Sequence, residues 1–132
     1  MKILILEDDR ARIDKFREKL DVNGVSLTVT GIVSACIQAL ELVKYDALFL
    51  DHDLDGKVYV PSEGPEPTGW HVAKWLNEHP DRQPPIIVIH TLNYMGRMKM
   101  KEQLPNALEL PFIWEAIKCD GKRLDFQKLY NL

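Results

Sequence analysis

The chain has 132 residues, 45% of them hydrophobic and 28% charged, which suits one globular domain, spanning residues 1–132, with a single sizeable core. A formal net charge of −3 argues against an extended DNA-binding surface, although a local basic patch remains compatible with it. Two distant cysteines without metal-ligand spacing, no run of membrane-spanning length and an N-terminal apolar run cut short by acids together lead to the expectation of a soluble, cytoplasmic protein with reduced thiols.

Residues 3–6 are continuously apolar, as in a strand buried on both faces. Three acids follow, and Asp9 is placed to cap a helix carrying Ile13, Phe16 and Leu20 on one face. Asn23-Gly24 marks a turn, and VSLTVTGI is rich in β-branched residues and reads as a second strand. Ser34 is a candidate cap for a second helix, with Cys36, Leu40 and Val43 sharing a face. Residues 47–50 form a third buried strand, followed by a Pro- and Gly-containing stretch over residues 55–67, either a lid or a tolerated surface loop. A third helix turns Val72, Trp75 and Leu76 inward and stops near His79-Pro80; IIVIH is a fourth strand. YMGRMKMKEQL reads as a helix, ALEL as a short fifth strand, and PFIWEAIK as a fifth helix begun by Pro111.

Five alternations of strand and helix predict an α/β fold, a doubly wound five-stranded parallel sheet with helices on both faces. Sites in such sheets lie at the carboxyl ends of the strands. Glu7, Asp8, Asp51, His52, Asp53, His90 and Thr91 all fall there.

Carboxylates converging from separate strand ends repel unless a cation intervenes or a proton is held, so Glu7, Asp8 and Asp51 point to a divalent ion such as Mg²⁺. The plainer alternative is that they cap helices and solvate loop ends. His52 and His90 follow strands expected to lie near one another. Beside a metal they suggest acid and base roles in opening a phosphodiester; separately, each reads as a structural histidine bonded to a carboxylate. Thr91, Asn93, Gly96 and Arg97 form a loop entering a helix, a composition suited to phosphate, and a solvated basic helix face is the other reading. His71 and His79 are expected to be exposed and without a role.

The order of elements, the acid pair after the first strand and the aspartate after the third resemble the receiver domain of response regulators, a flavodoxin-like fold. That resemblance implies a phosphoacceptor at Asp51, Mg²⁺ held by Glu7, Asp8, Asp51 and the Asp53 carbonyl, and a histidine kinase as partner. Two positions depart from it. His90 stands where receivers carry Ser or Thr, and Leu110 where they carry a lysine before proline.

A narrower match accounts for these departures. "LEDDR", "LDHDL", "TGW.VAKWL" and "VIHTLN..GR.KM" resemble the cyclic-phosphate processing receiver-like family. The resemblance implies a site built from Asp8, Asp51, His52, Asp53, His90, Asn93 and Gly96, with Glu7 in place of the family's first aspartate and Tyr94 in place of its proline. It implies a cyclic nucleotide or an RNA cyclic-phosphate end as partner. On that reading Asp8 and Asp51 hold the ion, His52 and His90 move protons, and Arg10 or Arg97 offsets phosphate charge. The competing reading is a stand-alone receiver phosphorylated on Asp51 in a phosphorelay.

Overall fold

A computed structural model describes residues 1–54, 60–111 and 114–127. The chain runs β1 (Lys2–Leu6), α1 (Arg10–Leu20), β2 (Ser26–Thr30), α2 (Val33–Leu42), β3 (Ala47–Leu50), α3 (Gly69–Glu78), β4 (Ile86–Ile89), α4 (Tyr94–Gln103) and β5 (Leu108–Glu109). The five strands form one parallel sheet in the order β2-β1-β3-β4-β5.

The strands are apolar on both faces because both are covered. Leu4, Leu6, Leu48, Leu50, Ile87 and Ile89 face a core built with Cys36 and Leu40 of α2, Val72 and Leu76 of α3 and Met100 of α4. The alternate residues Ile3, Ile5, Ala47, Phe49 and Val88 face a second core with Phe16 and Leu20 of α1. This is the two-residue period of a pleated strand read from both sides. Asp9 caps α1, its side chain accepting from Arg12 N at 3.0 Å. Ser34 is not the cap of α2. That helix begins two residues earlier than such a cap implies, after Ile32, and places Ser34 inside its first turn.

The second core is closed by an element that replaces the expected fifth helix. Trp114–Ala116 makes a single 3-10 turn, and β6 (Ile117–Cys119) and β7 (Leu124–Phe126) then pair antiparallel. Asp120-Gly121 decides this. Gly121 takes φ +91°, and Asp120 Oδ1 accepts from the backbone N–H groups of Lys122 and Arg123, both at 2.9 Å. Turn chemistry outweighs the helical spacing of the preceding apolar residues. Ile117 and Leu124 enter the core beside α1, and Trp114 meets Phe16 edge to face at 4.8 Å. Phe112 and Ile113 of the expected helix lie outside the described residues.

His71 and His79 are half-buried and tie down the ends of α3. His71 Nδ1 accepts from Thr68 N at 3.0 Å in a capping box. The His79 ring stacks on Trp75, centroids 4.2 Å apart, and its Nδ1 donates to Trp75 O at 2.7 Å.

Candidate functional site

The sheet register assembles the site. Leu6 pairs with Leu50 and Leu50 with Ile89, so the next residues, Glu7, Asp51 and His90, stand in one row at the carboxyl edge. Asp51 N donates to Leu6 O at 3.1 Å and His90 N to Leu50 O at 3.0 Å, which carries the row one residue past the strands. Each follows a leucine or isoleucine of the first core, so all three side chains turn to the opposite face, where Phe16 lies. His90 sits edge to face against Phe16 at 4.9 Å. Glu7, Asp51 and His90 are all buried, and each offers a ligand atom within 4.8 Å of the others.

Arg12 completes the cluster. Its Nε donates to Glu7 Oε1 at 2.7 Å, and its Nη2 reaches Glu7 Oε2 at 3.2 Å and Asp51 Oδ2 at 3.5 Å. His90 Nε2 donates to Glu7 Oε1 at 3.2 Å, and Asp8 N and Asp9 N donate to Oε2 at 3.0 and 3.1 Å. Burial pushes the Glu7 carboxyl up, but these hydrogen bonds outweigh it and hold the group well below its ordinary 4.5. Asp51 goes the other way. Burial, reinforced by the charge of Glu7, lifts its carboxyl from 3.8 to about 8 against the opposing pull of Arg12. Burial also keeps His90 neutral, below its ordinary 6.5 despite its bond to Glu7. Without a cation the cluster therefore balances as one ionised glutamate, one arginine, a protonated aspartate and a neutral imidazole.

The two histidines do not share a site. β3 ends at Leu50 and the chain bends at His52, whose ring lies toward α4 against Gly96. It is fully buried there, with Nδ1 at 2.8 Å from Asp53 Oδ1 and Nε2 at 2.8 Å from Ser62 Oγ. Asn93 Nδ2 donates to the same Asp53 oxygen at 3.0 Å and to Val60 O at 3.2 Å. The Asp53 side chain is thus committed to His52, outside the Glu7 cluster. The expectation that both imidazoles flank one metal is corrected on this geometry: His90 is with the acids, and His52 belongs to a second polar group.

Two glycines of the quoted motifs have steric explanations. A Cβ on Gly96 would lie 2.5 Å from the His52 ring, and one on Gly69 would lie 1.7 Å from Asp51 O. Both positions require the backbone to approach the site closely.

The remaining expected residues divide. Arg10 is exposed at the first helical position, two residues and so about half a turn from Arg12. Arg12, not Arg10, is the arginine of the site. Arg97 donates to Thr91 O at 3.1 Å, pairs with Glu109 at 3.6 Å and lies over the Tyr94 ring. Thr91 Oγ1 accepts from Asn93 N at 3.1 Å, and Asn93 Oδ1 caps α4 at Gly96 N, 2.9 Å away. These groups shape their own loop. Asp8 is half-buried and lines a cavity of about 690 Å³ with Gly31, Ile32, Ser34, Leu54 and Pro67. Leu110, at the position of the receiver lysine, packs against the second core.

Residues 2–106 match the sequence profile of the cyclic-phosphate processing receiver domain family. No curated protein matches the chain. Among solved structures, the signal receiver domain of a signal transduction histidine kinase from Syntrophus aciditrophicus is 18% identical, with TM-score 0.65 over 85% of this chain and 78% of that one. The Mn²⁺-bound form of response regulator Rcp1 is 20% identical, with TM-score 0.64 over 83% and 79%. A response regulator from Burkholderia pseudomallei, solved with a phosphorylated aspartic acid, calcium ion and citrate, is 14% identical, with TM-score 0.62 over 86% and 62%. These likenesses establish the receiver fold. No helix among the described residues is long and apolar enough to cross a membrane.

Proposed function

The chain belongs to the cyclic-phosphate processing receiver family, and on that premise we propose that it opens a cyclic phosphate ester at the Glu7–Asp51–His90 cluster. The observation that carries this reading is the convergence of three buried ligand atoms within 4.8 Å. Two carboxylates and an imidazole fit a small divalent ion, Mn²⁺ at least as well as Mg²⁺, because Mg²⁺ prefers an all-oxygen shell. Such an ion would polarise a phosphoryl oxygen and favour ionisation of a bound water.

Glu7 and Asp51 would hold the ion, with Asp51 releasing the proton that burial now keeps on it. His90, the imidazole at the cluster, would join them as a nitrogen ligand. The Arg12 side chain, 33% exposed, is long enough to leave Asp51 for an incoming phosphate and offset its charge. The cavity beside Asp8 has a volume suited to a nucleoside, which supports a cyclic nucleotide or an RNA cyclic-phosphate end as substrate. The test is turnover of a 2′,3′-cyclic nucleotide with Mn²⁺. Wild type should give a ring-opened monophosphate and Asp51→Asn none. Equal turnover by both, or none by wild type, rejects the proposal.

The second reading, a phosphoacceptor at Asp51 served by a histidine kinase, draws on the position of that aspartate after β3 in a receiver fold. Here Arg12 would have to supply the charge that Leu110 cannot. Intact mass after treatment with a small phosphodonor and Mg²⁺ distinguishes it, since only this reading expects a stable phosphate on Asp51.

A further inference from the structure

The group around His52 has the connectivity of a nucleophile, a base and an orienting acid. Ser62 Oγ is 2.8 Å from His52 Nε2, and His52 Nδ1 is 2.8 Å from Asp53 Oδ1. The hydrogen bonds fix the direction of this chain. Asp53 Oδ1 also accepts from Val60 N at 3.1 Å and from Asn93 Nδ2 at 3.0 Å, so this oxygen is the acceptor toward His52 as well. Asn93 Nδ2 lies 3.3 Å from His52 Nδ1, but its two hydrogens are taken by Asp53 and Val60 O. The Nδ1 hydrogen therefore belongs to His52 and points at Asp53. Nε2 is left with its lone pair toward the Ser62 hydroxyl, the arrangement in which imidazole can remove that proton.

Ser62 comes from the 55–67 stretch, which places a hydroxyl ten residues away in sequence onto a fully buried ring. It lines a cavity of about 460 Å³ together with Val60, Pro61, Met95 and Lys99. That volume, with a largely apolar lining that also carries Lys99 and Glu63, suits a short acyl group better than a nucleotide.

We propose that Ser62 is a catalytic nucleophile for short acyl esters, with His52 as its base and Asp53 as a positioning residue, in a centre separate from the Glu7 cluster. Ser62 Oγ bonds to the carbonyl carbon as its proton passes to His52 Nε2. The ester C–O bond then breaks, and the leaving alcohol takes that proton. Water repeats the sequence, releasing the acid and restoring the hydroxyl. Asp53 holds the ring so that Nε2 faces Ser62 throughout.

The probes are a fluorophosphonate and p-nitrophenyl acetate, applied to the full chain. The fluorophosphonate should modify Ser62, located by peptide mass spectrometry, and the acetate should give an acetyl group on the same residue. Ser62→Ala should lose at least about tenfold in labelling, while Ser26→Ala, an exposed serine in β2, should label as wild type does. Asp53→Asn should slow acetylation with little change in the concentration giving half-maximal rate, a split that a purely structural role would not produce. His52→Gln, with circular dichroism to establish folding, should abolish labelling. Equal labelling of Ser62→Ala and wild type overturns the proposal. So does a loss of thermal stability in Ser62→Ala with no labelling of the wild-type serine, since the contact would then only tie the loop to the core.

Discussion

Asp51→Asn isolates the buried carboxyl at the centre of the cluster. In the metal-free protein burial and Glu7 lift this group from 3.8 to about 8. Between those values the unfolded chain has released the proton while the folded protein keeps it. Stability must therefore fall as pH rises, by about 1.4 kcal/mol per unit for one proton. The contribution is complete below the ordinary value and is lost on the approach to pH 8. His90 acts in the opposite sense, because its imidazole is held neutral below its ordinary 6.5. Its burial destabilises the fold in acid, and that penalty fades as pH rises past 6.5. Asparagine keeps the shape and the oxygen that accepts from His52 N at 2.8 Å, but does not titrate. Subtracting the wild-type unfolding free energy from that of Asp51→Asn cancels the His90 contribution. The difference should grow in favour of the variant by roughly 3 kcal/mol between about pH 5 and about pH 7. Urea unfolding with a chelator present measures it at each pH. A difference that stays constant across that range would mean that Asp51 is ionised in the folded protein, and the electrostatic account of the cluster would be wrong.

Arg12→Leu leaves Glu7 buried with its principal cation removed. Because the guanidinium is one-third exposed, the expected loss is about 2 kcal/mol rather than the larger cost of a fully buried pair, read by the same urea method. Gly96→Ala drives a methyl to within 2.5 Å of the His52 ring, and overpacking of this kind should lower stability by about 1–3 kcal/mol and weaken the His52–Ser62 contact, visible as faster amide exchange around Ser62. Phe16→Ala opens the second core beneath His90 and should cost about 3–5 kcal/mol; a change under about 1 kcal/mol would mean that α1 does not pack as described.

The sheet was legible because three apolar runs, at residues 3–6, 47–50 and 86–89, admit no solvated face. Their alignment then brings Glu7, Asp51 and His90 into one row. The division of the histidines had no such signal, because His52 lies in the bend after β3 and the motif "LDHDL" reads as one cluster. Arg12 was missed in favour of Arg10 or Arg97. Only its helical position, on the side facing Glu7, distinguishes it from Arg10. The hairpin after β5 carried its own signal in Asp120-Gly121, masked by a preceding stretch with helical spacing. The partnership of Ser62 with His52 had no local signal, because the two stand ten residues apart with no periodic pattern joining them.

The central claim, that Glu7, Asp51 and His90 together hold a divalent cation, is tested most directly by electron paramagnetic resonance with Mn²⁺. One tightly bound ion should appear in wild type and vanish in Asp51→Asn, and its nitrogen coupling should be present in wild type and absent in His90→Gln. A spectrum of free Mn²⁺ in the wild type, or a bound ion unchanged in both variants, would contradict the account.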